Sequence, residues 1–282
     1  MEKDQNFVSV IVPTIGRSSI EATKTALKKQ TRLPDEIIII EDVNQSGPSW
    51  ARNEGMKKAK GNLIAFTDDD CIPDNDWIER FIKAIEVYNA SMVSSDFKET
   101  DPFLDEIRQR RNFPDSVRIN PEGFVGNTGN VMYRQECLDE CVRLDGIIFN
   151  PIYGAFASED IDLVFRLKKR GHTLVYINNK VKHLKEMSLL HYLKHQLYRG
   201  IGIGILYQLH KKTYGIGLPD QSLLWKRREN SVLKFILLLW KKILGPFDYQ
   251  SFSRKLYFTT FWAGEKAQAL GFTMCLIFKR IE

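Results

Sequence analysis

The chain is poor in cysteine and lacks an apolar segment at its start. Two of its four cysteines, Cys137 and Cys141, lie one helical turn apart. A zinc site needs two further ligands at suitable spacing, and the sequence offers none. Residues 1–6 are polar and lack the basic start and apolar stretch of a secretion signal. We therefore expect a cytoplasmic protein whose cysteines are reduced thiols.

Long hydrophobic runs are also absent from the C-terminal third. The longest uninterrupted apolar run within residues 231–244 is Phe235–Trp240, which is too short to span a bilayer. Residues 256–278 carry Glu265 and Lys266 in their middle, which disfavours insertion into a membrane. These two segments instead predict amphipathic helices that either lie on a membrane surface or pack on the rest of the protein.

Negative charge is scarce in that same part of the chain. The formal net charge is +6, but residues 1–181 carry 24 Lys+Arg against 29 Asp+Glu, whereas residues 182–282 carry 17 against 6. We expect a main domain over residues 1–215 and a basic helical extension over residues 216–282. No motif of interleaved aromatic and basic residues supports binding of nucleic acid. The basic extension is therefore expected to contact the inner face of a membrane or to form a solvated face.

Three consecutive carboxylates, Asp68, Asp69 and Asp70, follow Asn62–Thr67, whose apolar residues predict a buried strand. Adjacent aspartates repel one another and are costly to bury without partners, so folding alone explains them poorly. A hard divalent cation, Mg²⁺ or Mn²⁺, prefers oxygen ligands and would relieve the repulsion. The alternative is a helix N-terminus or solvated turn in which the acidic residues act as caps.

The elements before these aspartates alternate between strand and helix. Phe7–Val12 and Glu36–Ile40 predict strands, and the unbroken apolar run of the second predicts burial on both faces. The β-α-β-α-β order predicts an α/β fold, in which ligands bind beyond the carboxyl ends of the strands. Glu41 and Asp42 end the second strand as Asp68–Asp70 end the third, so we expect both acidic groups at one rim of the sheet.

Further stretches carry side chains suited to a site. Residues 126–130, G-N-T-G-N, are small and polar, which suits either close approach of a ligand or an ordinary turn. Ser158 predicts the N-cap of a helix whose first turn holds Asp160, a position that keeps a carboxylate ionised and able to accept a proton. His183 follows a predicted strand and suits either a metal ligand or a surface histidine. The polar residues 97–123 predict a long loop.

Taken in order, these motifs resemble family 2 glycosyltransferases, of the inverting class with the GT-A fold. The resemblance covers roughly residues 7–200. It is carried by V-S-V-I-V-P-T near the start, A-R-N-E-G at residues 51–55, F-T-D-D-D-C-I-P at residues 66–73, G-N-T-G-N, and E-D-I-D-L-V-F-R-L-K-K-R-G followed by His183. It implies a Rossmann-like mixed sheet flanked by helices, a C-terminal helical extension and a nucleotide-sugar donor.

The resemblance also implies roles for individual residues. Asp160 would be the catalytic base, with Glu159 assisting beside it, and Mn²⁺ or Mg²⁺ would be held by Asp68, Asp70 and His183. The nucleotide would be contacted by a set from the first half of the chain: Pro13, Thr14, Arg17, Glu41, Asp42, Arg52 and Asp69. The donor or acceptor sugar would be contacted by Asn127, Gly129, Asn130 and Arg199.

Two features depart from the family pattern. The run after the second strand is E-D-V-N rather than two aspartates followed by Gly-Ser, which leaves the choice between Glu41 and Asp42 open. Processive members carry Q-x-x-R-W, whereas residues 196–200 read Q-L-Y-R-G and lack the tryptophan. We therefore expect transfer of a single hexose to a sugar or lipid-linked acceptor in the synthesis of the cell envelope.

Two other functions compete with this interpretation. A sugar-nucleotide nucleotidyltransferase uses a similar sheet, but its chemistry needs a Gly-rich loop with Arg after the first strand, and residues 13–17, P-T-I-G-R, are too sparse. A non-catalytic membrane-docking module would use the basic extension alone. Release of pyrophosphate from a nucleoside triphosphate would favour the former alternative.

Overall fold

The computed structural model describes residues 6–109, 116–121, 127–154, 156, 158–214, 266–267 and 270–271. The chain divides into two compact units, Met1–Glu186 and Met187–Glu282. This division lies N-terminal to the boundary between residues 215 and 216 that we expected from the sequence. The helix Leu189–Tyr214 lies in the second unit. Each unit is described separately below.

Ten strands lie in the described part of the first unit. They are β1 Val8–Thr14, β2 Glu36–Glu41, β3 Leu63–Thr67, β4 Cys71–Ile72, β5 Met92–Ser94, β6 Phe97–Glu99, β7 Arg118–Ile119, β8 Asn130–Arg134, β9 Leu174–Tyr176 and β10 Val181–His183. Seven of them form one sheet in the order β2-β1-β3-β8-β5-β9-β7. Strand β8 is antiparallel to both β3 and β5, whereas β1 is parallel to β2 and β3. The sheet is therefore mixed, as the GT-A resemblance implied.

The other three strands form a small second sheet in the order β4-β10-β6. Strand β10 lies in its centre, antiparallel to β4 and parallel to β6. This register places His183 opposite Cys71 on one side and Glu99 on the other. Because β4 begins directly after Asp70, the small sheet brings His183 to the carboxyl end of β3.

Among the residues that the structure describes, six α-helices of the first unit flank these sheets, and a seventh belongs to the second unit. They are α1 Ile20–Leu27, α2 Pro48–Lys58, α3 Trp77–Val87, α4 Pro102–Gln109, α5 Gln135–Asp145, α6 Glu159–Lys169 and, in the second unit, α7 Leu189–Tyr214. Pro48 occupies the first turn of α2, where its missing N–H costs nothing. Gly146 ends α5 with a φ of 74°, a left-handed conformation that glycine adopts without strain.

The core of the first unit has two parts, one on each face of the large sheet. Neighbouring residues of β3 belong to different parts of the core. Ala65 lies in the same part as Trp77 of α3, whereas Phe66 lies in the part that contains Tyr133 and Phe149. Phe66 meets both of these rings edge to face. The period of two along β3 fixes the strand in register and sets the direction in which Asp68–Asp70 leave the sheet.

Strand β2 corrects one expectation. Its apolar run predicted burial on both faces, but β2 is an edge strand that pairs with β1. Its residues Ile37 and Ile38 are half-buried, and Ile39 is 36% exposed. An apolar run does not distinguish a central strand from an edge strand. The strands and helices that would cover it come from distant parts of the chain, which the local sequence does not reveal.

The expected long loop over residues 97–123 is also wrong in part. Strand β6, helix α4 and strand β7 all lie within it. Helix α4 contains Leu104, which is buried. Short elements of two to eight residues give too weak a periodic signal to be predicted from sequence.

Helix α7 is the main described element of the second unit. Among the described residues, none of the helices combines the length and the apolar character that crossing a membrane requires. Residues 231–244, one of the two segments expected to be amphipathic, lie outside the described residues, as does most of residues 256–278.

Candidate active site

The three aspartates after β3 each meet a basic side chain. Asp68 lies 3.0 Å from Nη2 of Arg52, and Asp69 lies 2.8 Å from Nη1 of Arg17. Asp70 lies 3.2 Å from the same Arg17 nitrogen and 3.4 Å from Nε2 of His183. The repulsion between consecutive carboxylates is therefore offset by cations that come from the loop after β1, from α2 and from β10.

Arg52 joins the end of β3 to the start of α6. Its Nη1 donates to Oε1 of Glu159 at 2.8 Å while its Nη2 donates to Oδ1 of Asp68. The guanidinium also lies over the ring of Phe149, 5.9 Å from the centroid. Burial disfavours the charged form of Arg52, but Asp68, Glu159 and Asp160 more than compensate and raise its pKa. These contacts bring the D-D-D and E-D-I-D motifs together around one buried side chain.

The N-terminus of α6 has an unusual backbone. Ser158 precedes the helix with a φ of 95°, a left-handed conformation that a residue with a side chain rarely adopts. We predicted that its hydroxyl would cap the helix, but it makes no capping hydrogen bond and is buried without a partner within the described residues. Strain of this kind is found at functional sites, where surrounding contacts hold it in place.

Asp160 lies in the first turn of α6. Its Oδ1 accepts a hydrogen bond from the backbone N–H of Ile161 at 2.8 Å. The carboxylate is close enough to Arg52 to contribute to the raised pKa of that guanidinium. The positive end of the helix dipole favours a carboxylate at this position.

Asp69 is almost completely buried and holds two loops together. Its Oδ2 accepts from the hydroxyl of Thr14 at 2.6 Å, and its Oδ1 accepts from Arg17. The hydroxyl of Thr23 in α1 donates to the carbonyl oxygens of Asp69 and Cys71. Thr14, Arg17 and Asp69 were all predicted to contact a nucleotide, and the structure brings them into direct contact with one another.

His183 lies between two carboxylates. Its Nδ1 is 2.7 Å from Oε2 of Glu99, and its Nε2 faces Oδ1 of Asp70. Burial opposes protonation of the ring, but the hydrogen bonds to Asp70 and Glu99 outweigh it and raise the pKa of His183 to about 9. The pKa of Asp70 is lowered: burial would raise it, but His183 and Arg17 have the larger combined effect.

The described residues contain a group that can hold a metal ion. Ligand atoms of Asp70, Cys71 and His183 lie within 4.8 Å of one another. Burial raises the pKa of the Cys71 thiol well above its ordinary value, so this residue is a poor donor at neutral pH. A carboxylate and an imidazole remain. The carboxylate suits Mn²⁺ or Mg²⁺, whereas an imidazole prefers transition metals, and His183 must lose its second proton before Nε2 can bind an ion. Asp68, the third predicted ligand, is not in this group and pairs with Arg52 instead.

The structure separates the two acidic residues at the end of β2. Both carboxylate oxygens of Asp42 accept backbone hydrogen bonds, from Ser46 at 2.8 Å and Gly47 at 2.7 Å. Asp42 is buried and shapes the loop before α2. Glu41 is exposed, and its carboxylate lies next to Gly16 in the loop after β1. Of the two, Glu41 is the side chain that solvent and ligands can reach.

The G-N-T-G-N motif lies against Asp68. A Cβ atom on Gly129 would be 2.7 Å from Oδ2 of Asp68 and 2.6 Å from the ring of Phe97, so only glycine fits. The side chain of Asn127 accepts from the N–H of Gly129 at 3.2 Å. The motif therefore approaches the aspartates as closely as its composition suggested.

Asn130 has a different environment from its neighbours in the motif. It is fully buried, and its Oδ1 accepts from the indole N–H of Trp77 at 2.8 Å. Its Nδ2 donates to the carbonyl oxygens of Asp96 and Asn179. These bonds hold Asn130 inside the core, so the structure does not place its amide where a sugar could contact it.

The remaining predicted residues are Pro13 and Arg199. Pro13 lies within β1, opposite Ile40 of β2. Arg199 lies in α7 of the second unit, so its contact with a sugar stays a prediction. Sequence reasoning missed Glu99 as a site residue, because the polar stretch around it carries no strand signal.

Comparison with known proteins points to one family. Residues 42–142 match the family model described as glycosyl transferase family 2. The chain is 24% identical to glycosyltransferase AglE of Haloferax volcanii over 132 residues, which cover 46% of this chain and 43% of that protein. It is 27% identical to glycosyltransferase GlyA of Streptococcus pneumoniae over 93 residues, 33% of this chain and 13% of that protein. The matches thus span less than half the length of these curated relatives.

Among solved structures, the chain resembles a mannosyltransferase, PcManGT, from Pyrobaculum calidifontis. The TM-score is 0.60 at 15% sequence identity, and the match covers 95% of this chain and 87% of that chain. At this level of identity the likeness shows a shared fold. The resemblance predicted from the motifs is thereby confirmed: residues 42–142 match the glycosyl transferase family 2 model, and the mixed sheet flanked by helices has the GT-A fold.

Proposed function

We propose that the protein transfers a single sugar from a nucleotide-sugar donor to an acceptor hydroxyl, with inversion at the anomeric carbon. The observation that carries the proposal is the bridge from Asp68 through Arg52 to Glu159. It brings the carboxylates of β3 and the acidic N-terminus of α6 to one place. A metal-dependent transfer needs both groups. The carboxylates after β3 would bind the cation that contacts the leaving diphosphate, and a carboxylate of α6 would contact the acceptor.

The donor end of the site lies at the loop after β1. Arg17 is half-exposed and reaches Asp69 and Asp70, so its guanidinium stands where the phosphates of a nucleotide would approach. Glu41 is exposed next to the same loop and is suited to a ribose or base contact. The mannosyltransferase of the same fold was solved with GDP-mannose and Mn²⁺, which supports a nucleotide-sugar donor here.

Asp70 and His183 would hold the divalent cation, with Asp68 close to it. The cation would supply positive charge opposite the oxygens of the departing nucleoside diphosphate. Asp70 meets the first requirement of a ligand, because its lowered pKa keeps it ionised. Nε2 of His183 lies 3.4 Å from Oδ1 of Asp70, so both atoms are close enough to bind one ion once Nε2 has lost its proton.

Asp160 would act as the general base. Its carboxylate would accept the proton of the acceptor hydroxyl as that oxygen attacks the anomeric carbon from the face opposite the diphosphate. One base and one displacement give inversion. The buried ion pair between Arg52 and Glu159 fixes the first turn of α6 and so holds Asp160 in position.

The acceptor side of the proposal extends to the basic C-terminal region. We place the protein at the inner face of a membrane, with a lipid-linked or sugar acceptor of the cell envelope. The charge of residues 182–282, 17 Lys+Arg against 6 Asp+Glu, supports contact with an anionic surface. The sequence Q-L-Y-R-G at residues 196–200 supports transfer of one sugar at a time.

The proposal is tested with the full-length protein and a panel of UDP-, GDP- and dTDP-sugars in the presence of Mn²⁺. We expect one donor to raise the melting temperature and to be hydrolysed or transferred with release of the nucleoside diphosphate. Asp160→Asn serves as the control for the chemical step, since it should keep the thermal shift and lose the release. A panel without any thermal shift or any released nucleotide would contradict the proposal.

A further inference from the structure

Side chains of strand β6 contact His183 in addition to the backbone pairing of the small sheet. The ring of Phe97 stacks on the imidazole at 4.6 Å between centroids, with 25° between the planes. Two residues further along, Glu99 meets Nδ1 of the same ring. The backbone N–H and the hydroxyl of Thr100 both donate to the carbonyl oxygen of His183. The orientation of the imidazole is therefore fixed by Phe97 and Glu99 of β6, while Thr100, directly after the strand, holds the backbone of His183.

The pairing of β6 with β10 explains why Phe97 and Glu99 act together. The two strands are parallel, and His183 lies opposite Glu99 in the register. Residues two apart on a strand project to the same face, so Phe97 and Glu99 both reach the ring. The side chain of Glu99 is only 3% exposed. A carboxylate is costly to bury, and this one meets the imidazole of His183.

The direction of the hydrogen bond sets the tautomer of the ring. An ionised carboxylate accepts hydrogen bonds and cannot donate them, so Nδ1 must carry the proton that points to Glu99. When a cation replaces the second proton, Nε2 presents its lone pair on the side where Oδ1 of Asp70 lies, 3.4 Å away. The arrangement is that of a carboxylate that orients a metal-binding histidine.

We propose that Glu99 is a positioning residue of the cation site, which holds the ring of His183 so that Nε2 and Asp70 bind the same divalent ion. This inference rests on the proposed function, since it requires a cation at Asp70 and His183. It goes beyond that function by assigning a role to a side chain that touches neither nucleotide, sugar nor cation. Glu99 contacts Nδ1 of His183, whereas Asp70 lies on the Nε2 side of the same ring.

A purely structural role for Glu99 predicts a different outcome. If Glu99 served only to pair with a protonated histidine, its loss would lower the stability of the fold and leave the affinity of the folded protein for a cation unchanged. If Glu99 orients His183 for a cation, its loss weakens cation binding in protein that is still folded. Loss of such an outer partner typically costs about 10- to 100-fold in metal affinity.

The experiment measures the affinity for Mn²⁺ by the electron paramagnetic resonance signal of free Mn²⁺, with GDP and UDP in parallel. The variants are Glu99→Leu, which removes the hydrogen bond, and Glu99→Gln, which keeps an acceptor but removes the charge. We expect an affinity about 10- to 100-fold lower for Glu99→Leu and a smaller loss for Glu99→Gln. His183→Ala should lose at least as much affinity as Glu99→Leu.

The chain offers a matched control in a second histidine–carboxylate pair. Nε2 of His172 lies 2.7 Å from Oε2 of Glu140, away from the aspartates, and Glu140→Gln should leave the affinity for Mn²⁺ unchanged. A second measurement follows the histidine nitrogens by ¹⁵N NMR in metal-free protein. We expect the hydrogen on Nδ1 of His183 to be protected from exchange in the wild type and not in Glu99→Leu.

The outcomes separate the inference from the proposed function. Wild-type protein that binds Mn²⁺ neither alone nor with a nucleotide would overturn both. A second outcome is that wild-type protein binds Mn²⁺, His183→Ala does not, and folded Glu99→Leu binds it as tightly as the wild type. This result would overturn the role of Glu99 and leave the proposed function intact. If Glu99→Leu does not fold, Glu99→Gln decides the question. An affinity of Glu99→Gln for Mn²⁺ equal to that of the wild type, with an unchanged ¹⁵N signal from His183, would also overturn the role of Glu99.

Discussion

Nη1 of Arg52 lies 2.8 Å from Oε1 of Glu159, a contact between residues 107 positions apart in the chain. Both side chains are almost completely buried. Nε of Arg52 and Oε2 of Glu159 have no hydrogen-bond partner among the described residues. The pair therefore connects Asp68 after β3 with the N-terminus of α6. One nitrogen of Arg52 and one oxygen of Glu159 remain able to form a further hydrogen bond.

Removal of the charge of Arg52 should destabilise the fold. Arg52→Met leaves Glu159 buried without its cation, and breaking a buried pair in this way costs about 3–5 kcal/mol. The free energy of unfolding in urea is the measurement. Arg80→Met is the control, because Arg80 and Asp76 form an exposed pair whose loss should change stability by less than about 1 kcal/mol. Recovery of stability in Arg52→Met/Glu159→Gln would support the assignment, and equal stability of Arg52→Met and wild type would contradict it.

Asp160→Asn should abolish turnover while leaving nucleotide affinity within a few-fold. The amide cannot accept the proton of the acceptor hydroxyl, and a positioned base contributes about 10²–10⁴-fold to the rate. Turnover is measured by nucleotide release, and affinity by titration calorimetry with the nucleoside diphosphate. Asp139→Asn, on the exposed face of α5, is expected to change neither quantity. A large loss of nucleotide affinity in Asp160→Asn would place the residue on the donor side instead.

Gly129→Ala should lower turnover more than stability. Its Cβ atom would overlap Oδ2 of Asp68 and the ring of Phe97, which packs on His183, so both sides of the cation site would shift. A displacement of about 1 Å at a site costs about 10²-fold in rate. Gly171→Ala is the contrast: its φ of 81° penalises a side chain by about 1–2 kcal/mol, but nothing lies within 4 Å of the new atom. That variant should lose stability and keep its kcat.

The pH dependence of stability should show the effect of Asp145. Burial would raise its pKa, but hydrogen bonds from Arg170 and Arg166 bring it below the ordinary value of 3.8. A depressed pKa contributes stability that is present above the unfolded value and is lost as the pH falls through the folded one. Because Asp145 is exposed and solvent screens its ion pairs, Asp145→Asn should be less stable than the wild type at pH 7 by up to about 1 kcal/mol.

The difference between Asp145→Asn and the wild type should shrink as the pH falls below about 4, where the carboxylate of the wild type becomes protonated. Thermal unfolding from pH 7 to pH 2.5 measures it. Asp76→Asn, which removes an exposed carboxylate, gives the baseline. A difference that stays constant across this range would show that the charge of Asp145 does not contribute.

The strands that lead to the site could be predicted from sequence because their signals are local. The apolar runs of β1 and β3 carry the burial, and Asp68–Asp70 come directly after β3, at its carboxyl end. Since β1, β2 and β3 are parallel, those ends meet at one edge of the sheet. The convergence of residues 14–17 with Asp68–Asp70 follows from topology, without knowledge of any side-chain contact.

The partners of those residues could not be predicted, because they come from distant parts of the chain. Nothing near Arg52 in the sequence distinguishes a nucleotide contact from a bridge to Glu159. The role of Glu99 depends on a ladder of three residues between β6 and β10, which is too short to give a periodic pattern. Ser158 fits the composition of a helix cap, but its left-handed φ removes the geometry that a cap requires.

The fixed position of Asp69 has a consequence for protein engineering. Its side chain is tied to Thr14 and Arg17, and its backbone to Thr23, while its neighbours on either side are the candidate cation ligands. Libraries that vary residues 14–17 to change donor preference will therefore also disturb the ion-binding geometry. Selections for a new nucleotide should vary Asp69 together with that loop and should be run at several Mn²⁺ concentrations, or useful variants will be discarded as inactive.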